Sequence, residues 1–173
     1  GKIEFQSETL KGMGLSSMPT YHEVTESPIG SPDLAKEYPL VLSTGIRSPV
    51  FFHTQYRQIP RLREIHPDPL VRMHPETAQN LNISEGDWVY IETPRGRCRQ
   101  KAKLTLGIDP RVVMAEHDWW FPEAPAEAPG LHGAFESNIN VLTSSEPPYD
   151  PGFGSTPNRS LLCKIYRAEE ITW

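Results

Sequence analysis

A chain of 173 residues is long enough for one domain with its own core and short for two. Eighteen prolines and twelve glycines argue against a long helical bundle. A formal net charge of −5 argues against a general nucleic-acid binder, which needs a basic footprint. No apolar run reaches the length of a transmembrane helix, so no direct membrane insertion is expected. No signal peptide is visible, and the chain begins at Gly1, so upstream residues are expected to carry any targeting signal. Cys98 and Cys163 are too few for a disulfide framework or a cysteine metal site and are expected to be buried, reduced thiols.

Residues 1–38 read as an irregular lead-in, because Ser16 to Pro19 and Ser27 to Asp33 carry turn chemistry. Such a segment is expected to drape over the domain that follows, residues 39–173, or over a neighbour. Pro39 to Leu42 is a short apolar run that reads as a buried strand ending in Thr44-Gly45. Polar donors follow closely: Arg47, Ser48, His53, Thr54, Gln55 and Arg57. A guanidinium fork pairs with phosphate, and hydroxyls and backbone N–H groups complete an oxyanion cradle. A strand, a glycine turn and clustered donors therefore suggest a site for a phosphate-bearing ligand, although a polar loop after a core strand has the same look.

Leu62 to Ile65 reads as a helical turn, Leu70 to Met73 as a second strand, and Pro75 to Leu81 as a short helix that Asn82 stops. Trp88 to Thr93 is a strand rich in β-formers, and Pro94 to Arg97 turns it into a return strand, Cys98 to Thr105. On that return Arg95, Arg97, Arg99, Lys101 and Lys103 share one face, and Cys98, Gln100, Ala102 and Leu104 the other. The basic face reads as solvated or paired with an acidic neighbour. Val112 to Ala115 and Leu161 to Arg167 are further strands, separated by long loops. Six short strands, one or two short helices and long excursions describe a mainly β, compact barrel.

In order along the chain, Tyr38 to Arg47, His53 to Arg57, His74 to Ala78, Gly86 to Val89, Thr93 to Gly96 and Asn140 to Thr143 resemble the molybdopterin-dinucleotide-binding domain of the dimethyl sulfoxide reductase family. Gly1 to Phe5 looks like the segment that precedes that domain. The run His117-Asp118-Trp119-Trp120-Phe121-Pro122 is more similar to the formate dehydrogenase, arsenate reductase, polysulfide reductase and acetylene hydratase branches. Ile46 is a departure, since many members read Thr-Gly-Arg unbroken, and it leaves open which peptide N–H faces the ligand.

The resemblance implies a double-psi β-barrel that caps a bis(molybdopterin guanine dinucleotide) carrying molybdenum or tungsten. It implies a parent oxidoreductase whose iron–sulfur cluster and metal-ligating side chain lie upstream, so this chain alone is expected to be inactive. The implied partners are the remaining domains of the catalytic subunit and an iron–sulfur electron-transfer subunit, in the prokaryotic cytoplasm or periplasm. The implied cofactor contacts are Thr44, Gly45, Arg47, Ser48, His53, Thr54, Arg57, Trp120, Asn140 and Arg159. An Asn amide such as Asn140 can match the paired donors and acceptors of a guanine or pterin edge. Trp119, Trp120 and Phe121 either stack on a flat ring or form an ordinary core cluster, and His53 reads either as a contact or as a core histidine. No catalytic residue and no protein metal ligand is expected here. The alternative is a free-standing double-psi barrel that binds partners through its basic strand face.

Overall fold

Residues 3–169 are described by the computed structural model; Gly1, Lys2 and residues 170–173, at the two ends of the expected lead-in and barrel, lie outside it. Six strands form: β1 (Leu40–Ile46), β2 (Leu70–Met73), β3 (Trp88–Thr93), β4 (Gly96–Leu104), β5 (Val112–Glu116) and β6 (Arg159–Arg167). They close into a barrel in the order β1-β5-β2-β4-β3-β6. β1 runs parallel to β5 and β2 parallel to β4, while the remaining pairs are antiparallel. This is the expected double-psi β-barrel. The period-two pattern dictates the inside: Leu42, Val71, Met73, Val89, Ile91 and Val113 are fully buried in one core. Each such side chain contributes about 1.5–3 kcal/mol on leaving water.

β3 and β4 pair from Trp88↔Lys101 to Thr93↔Gly96, which turns Cys98, Gln100 and Ala102 inward as their alternation requires. The basic face is the paired case. Arg99 meets Glu136 at 2.5 Å, Lys101 meets Asp68 at 2.8 Å, and Lys103 meets Glu85 at 2.7 Å. Such pairs add little stability, but they neutralise the surface on which the interaction-module alternative relied.

Among the described residues five short α-helices replace the expected one or two: α1 (Glu8–Gly12), α2 (Pro32–Glu37), α3 (Pro60–Ile65), α4 (Pro75–Asn80) and α5 (Ala134–Ser137). The first two lie in the lead-in that reads as irregular. Local chemistry accounts for them. Ser7 Oγ accepts the Leu10 N–H at 3.2 Å as an N-cap, and proline opens α2, α3 and α4. Asn82, at φ 55°, follows α4 as its left-handed stop. The lead-in is tied to the barrel where Glu26 meets Arg95 on the β3–β4 turn, with one N···O contact of 3.1 Å.

Both thiols point into the core and are free. Burial pushes the Cys98 thiol up to about 12, and burial followed by the neighbouring Cys98 raises Cys163 as well. The thiolate is the reactive form. Neither cysteine is therefore expected to react with a disulfide reagent in the folded protein at pH 8, and both should react once denaturant is added.

Candidate functional site

The site begins at the end of β1. Its ladder with β5 runs Thr44↔Ala115 and then Ile46↔Glu116, so Gly45 is an extra residue in a β-bulge. Gly45 sits at φ 91°, a region that side-chain-bearing residues rarely adopt. The bulge absorbs the Ile46 departure: Ile46 keeps its place in the ladder and Arg47 emerges beyond it, exposed. Thr44 Oγ1 donates to the Asn158 carbonyl and so clamps the entry of β6 onto β1. That clamp brings Arg159 alongside the glycine, and a methyl built on Gly45 would lie 3.9 Å from Arg159 Nη2.

The opposite wall comes from the segment after β5 and from a 3-10 turn, Ile139–Leu142. Gln100, fully buried, donates through Nε2 to the Glu116 carbonyl at 2.8 Å and to the Ser137 carbonyl at 3.3 Å. Its Oε1 accepts the Glu116 N–H at 3.2 Å. One amide therefore fixes the residues that lead into His117-Asp118 and into Asn138-Asn140. Asn138 caps the 3-10 turn by accepting the Asn140 N–H at 3.0 Å, and Thr93 Oγ1 donates to the Leu142 carbonyl at 3.1 Å. Asn140 spends its backbone in this way, while its carboxamide makes no hydrogen bond among the described residues.

Between the walls lies an open groove of about 240 Å³. Six of the ten residues expected at the site line it: Thr44, Gly45, Arg47, His53, Asn140 and Arg159. The other four lie elsewhere. Ser48 Oγ accepts the Val50 N–H at 3.1 Å, which shapes its own loop. The carbonyl of Thr54 accepts the indole N–H of Trp120 at 2.6 Å, and the Trp120 ring leans on His132. Arg57 is buried, 2% exposed, with its guanidinium 4.9 Å from the Phe51 ring and 4.7 Å from the Trp119 ring. Desolvation lowers its pKa to about 10, and Nη1 donates to the His53 carbonyl. Arg57 thus holds the loop that carries His53 and does not reach the groove.

A second buried cluster, Phe51, Trp88, Trp119, Phe121 and Ala124, anchors this loop outside the barrel. Trp119 and Phe121 are therefore core residues. Sequence reasoning missed His117, Asp118, Thr143 and Asn158, which also line the groove. Only one signal could have found the first two: a His-Asp pair directly after a strand that runs parallel to the glycine-bearing strand.

Two guanidiniums dominate the charge of the groove. Among the described residues neither Arg47 nor Arg159 meets a carboxylate, whereas Arg63, Arg95, Arg99 and Arg111 each do. A groove with two unspent guanidiniums, a free carboxamide and a glycine bulge can grip an anion that carries a planar edge.

Residues 40–159 match the family described as the molydopterin dinucleotide binding domain. The chain is 41% identical over 151 residues to a dopamine dehydroxylase of Eggerthella lenta, covering 87% of this chain and 14% of that protein. It is 35% identical over 170 residues to the acetylene hydratase of Syntrophotalea acetylenica, covering 96% of this chain and 23% of that protein. The solved acetylene hydratase of Pelobacter acetylenicus superposes with a TM-score of 0.89 at 33% identity, over 96% of this chain and 23% of that one. The chain thus spans less than a quarter of these relatives.

Proposed function

This chain belongs to the molybdopterin dinucleotide-binding domain family of the dimethyl sulfoxide reductase-type enzymes, and from that premise we propose that the groove beside Gly45 is where it grips the cofactor. Arg47 and Arg159 hold the anionic tail of a bis(molybdopterin guanine dinucleotide), and the Asn140 carboxamide reads an edge of its guanine or pterin. Gly45 keeps the backbone low enough for the tail to lie against β1. When bound, the cofactor supplies the redox-active molybdenum or tungsten; this chain supplies binding and orientation. One observation carries the reading: two exposed guanidiniums line one groove with a carboxamide, and among the described residues the guanidiniums meet no carboxylate and the carboxamide makes no hydrogen bond.

The chain covers 14% of the dopamine dehydroxylase and 23% of the acetylene hydratase, and the metal-ligating side chain and the iron–sulfur cluster belong to sequence outside it. The remaining domains of a catalytic subunit and an iron–sulfur electron-transfer subunit are its partners, and the chain alone turns nothing over. Among the described residues no helix is long and apolar enough to cross a membrane.

The test measures the pterin, guanine nucleotide and metal retained by the purified cofactor-loaded protein. The double variant Arg47→Ala/Arg159→Ala is expected to retain at least tenfold less, because charge-assisted hydrogen bonds contribute roughly 1.5–3 kcal/mol each. Asn140→Ala is expected to lose less of the cofactor. All three residues are exposed, so thermal stability should not change. Unchanged cofactor content in the double variant overturns the assignment.

A further inference from the structure

The lead-in is folded but finds no core within this chain. From residue 3 to residue 22 no side chain is buried, α1 included. A helix of five residues is unstable in water on its own and needs an apolar face to pack on. Local bonds nevertheless give the segment one shape. The Ser7 N–H donates to the Ser17 carbonyl at 2.8 Å, and the Leu15 N–H to the Leu10 carbonyl at 2.9 Å. Its large apolar side chains face outward: Phe5 is 80% exposed and Tyr21 81%. Met18, which the Gln6 amide meets at 3.6 Å, is half exposed as well.

The loop that follows the groove extends this face. Leu10, Leu15 and Pro19 meet Pro151 and Phe153 around an open cleft of about 260 Å³, and Phe153 is 86% exposed. At about 150–250 Å² per aromatic side chain, Phe5, Tyr21 and Phe153 present several hundred Å² of apolar surface. A patch of that size marks an interaction site. The same wall adjoins the groove. Ser144 and Pro157, next in sequence to the groove residues Thr143 and Asn158, share a pocket with Thr25 and Glu26 of the lead-in. A large body seated over the groove therefore lies beside the wall.

On the reading that this chain is one domain of a larger catalytic subunit, we infer that residues 5–22 and 149–153 form the wall by which it docks on the remaining domains. An apolar segment of those domains enters the cleft between Leu10 and Phe153. The superposition on acetylene hydratase takes in 96% of this chain but only 23% of that one. Most of the lead-in thus follows the same course in a much longer chain, with ample further sequence to cover it. A tethered domain also suits a small, open cleft better than a separate protein does. Its high effective concentration spares the translational freedom that a free partner loses on binding.

The experiment follows hydrogen–deuterium exchange in the cofactor-loaded catalytic subunit. The triple variant Phe5→Asp/Tyr21→Asp/Phe153→Asp is expected to speed exchange at least tenfold in residues 5–22 and 149–153, and in one stretch of the remaining domains. Peptides of β3 and β4 should keep their rates and so report an intact barrel. Leu106→Asp is the control, since Leu106 is 80% exposed beyond the end of β4, opposite the lead-in contact at Arg95. It should change none of these rates. Rates within twofold of the parent in the triple variant overturn the inference. So does protection of the wall that rises with protein concentration, as a second copy would give, or that requires the electron-transfer subunit. Cofactor content is measured separately in the same samples, so failure of the wall leaves the groove assignment standing.

Discussion

Trp119→Ala is expected to destabilise the folded chain by about 3–5 kcal/mol, the usual range for emptying a buried aromatic site. At ~2–4 °C per kcal/mol for a chain of this size, the melting temperature should fall by roughly 6–20 °C. The reason lies in what surrounds the ring. Trp119 is fully buried, with Phe51 edge-on at 5.7 Å, Phe121 at 6.3 Å and the Arg57 guanidinium 4.7 Å from its centre. A cavity there removes one face of the sandwich that keeps a guanidinium out of water. The loop carrying His53 then loses its anchor, so cofactor retention should fall with stability. Trp119→Phe sharpens the test. The indole N–H is buried and makes no hydrogen bond among the described residues, so phenylalanine removes an unsatisfied donor worth roughly 1–3 kcal/mol while keeping most of the packing. The Phe variant should therefore lose less than half of what the Ala variant loses. A melt within 2 °C of the parent for Trp119→Ala would show that this second core does not support the groove.

The barrel could be read from the sequence where periodicity and punctuation agree. The alternation Cys98, Gln100, Ala102 has one inward solution, and the pairing of β3 with β4 adopts it. Pro75 and Asn82 mark the two ends of α4 because each restricts the backbone on its own. α5 and the 3-10 turn at Ile139–Leu142 were not legible, since elements of four residues show no full period. The groove was half legible. Gly45 and Arg47 declare themselves as a bend and a donor beside a strand, and Asn140 and Arg159 come from resemblance alone. Arg57 shows the limit. In a run of donors, spacing does not say which side chain turns inward, and its direction is set by Trp119, 62 residues later. His117 and Asp118 were hidden for the same reason, because their value depends on a loop residue, His53, that only folding brings beside them.

Gln100→Met should be the most informative change in the barrel itself, because it keeps the side chain's length and apolar stem and removes only the amide. The lost bonds are those to the Glu116 N–H, the Glu116 carbonyl and the Ser137 carbonyl. All lie in a fully buried setting, where a polar group stripped of a partner costs roughly 1–3 kcal/mol. The expected total is about 3–5 kcal/mol, large for a near-isosteric substitution. The consequence reaches beyond stability. Glu116 also accepts the Leu70 N–H at 3.2 Å and meets His66 at 2.9 Å through its buried carboxylate, so its backbone is the node from which His117 and Asp118 leave β5. Ser137 leads likewise to Asn138 and Asn140. Releasing the node should let both walls of the groove shift, and the Asn140 side-chain amide resonances should move although that residue is untouched. Denaturant unfolding gives the first quantity, and amide spectra with cofactor retention give the second. If the midpoint moves by less than the equivalent of 1 kcal/mol and the Asn140 signals stay in place, the two walls are held by the strands alone, and the clip assigned to Gln100 has no role in shaping the site.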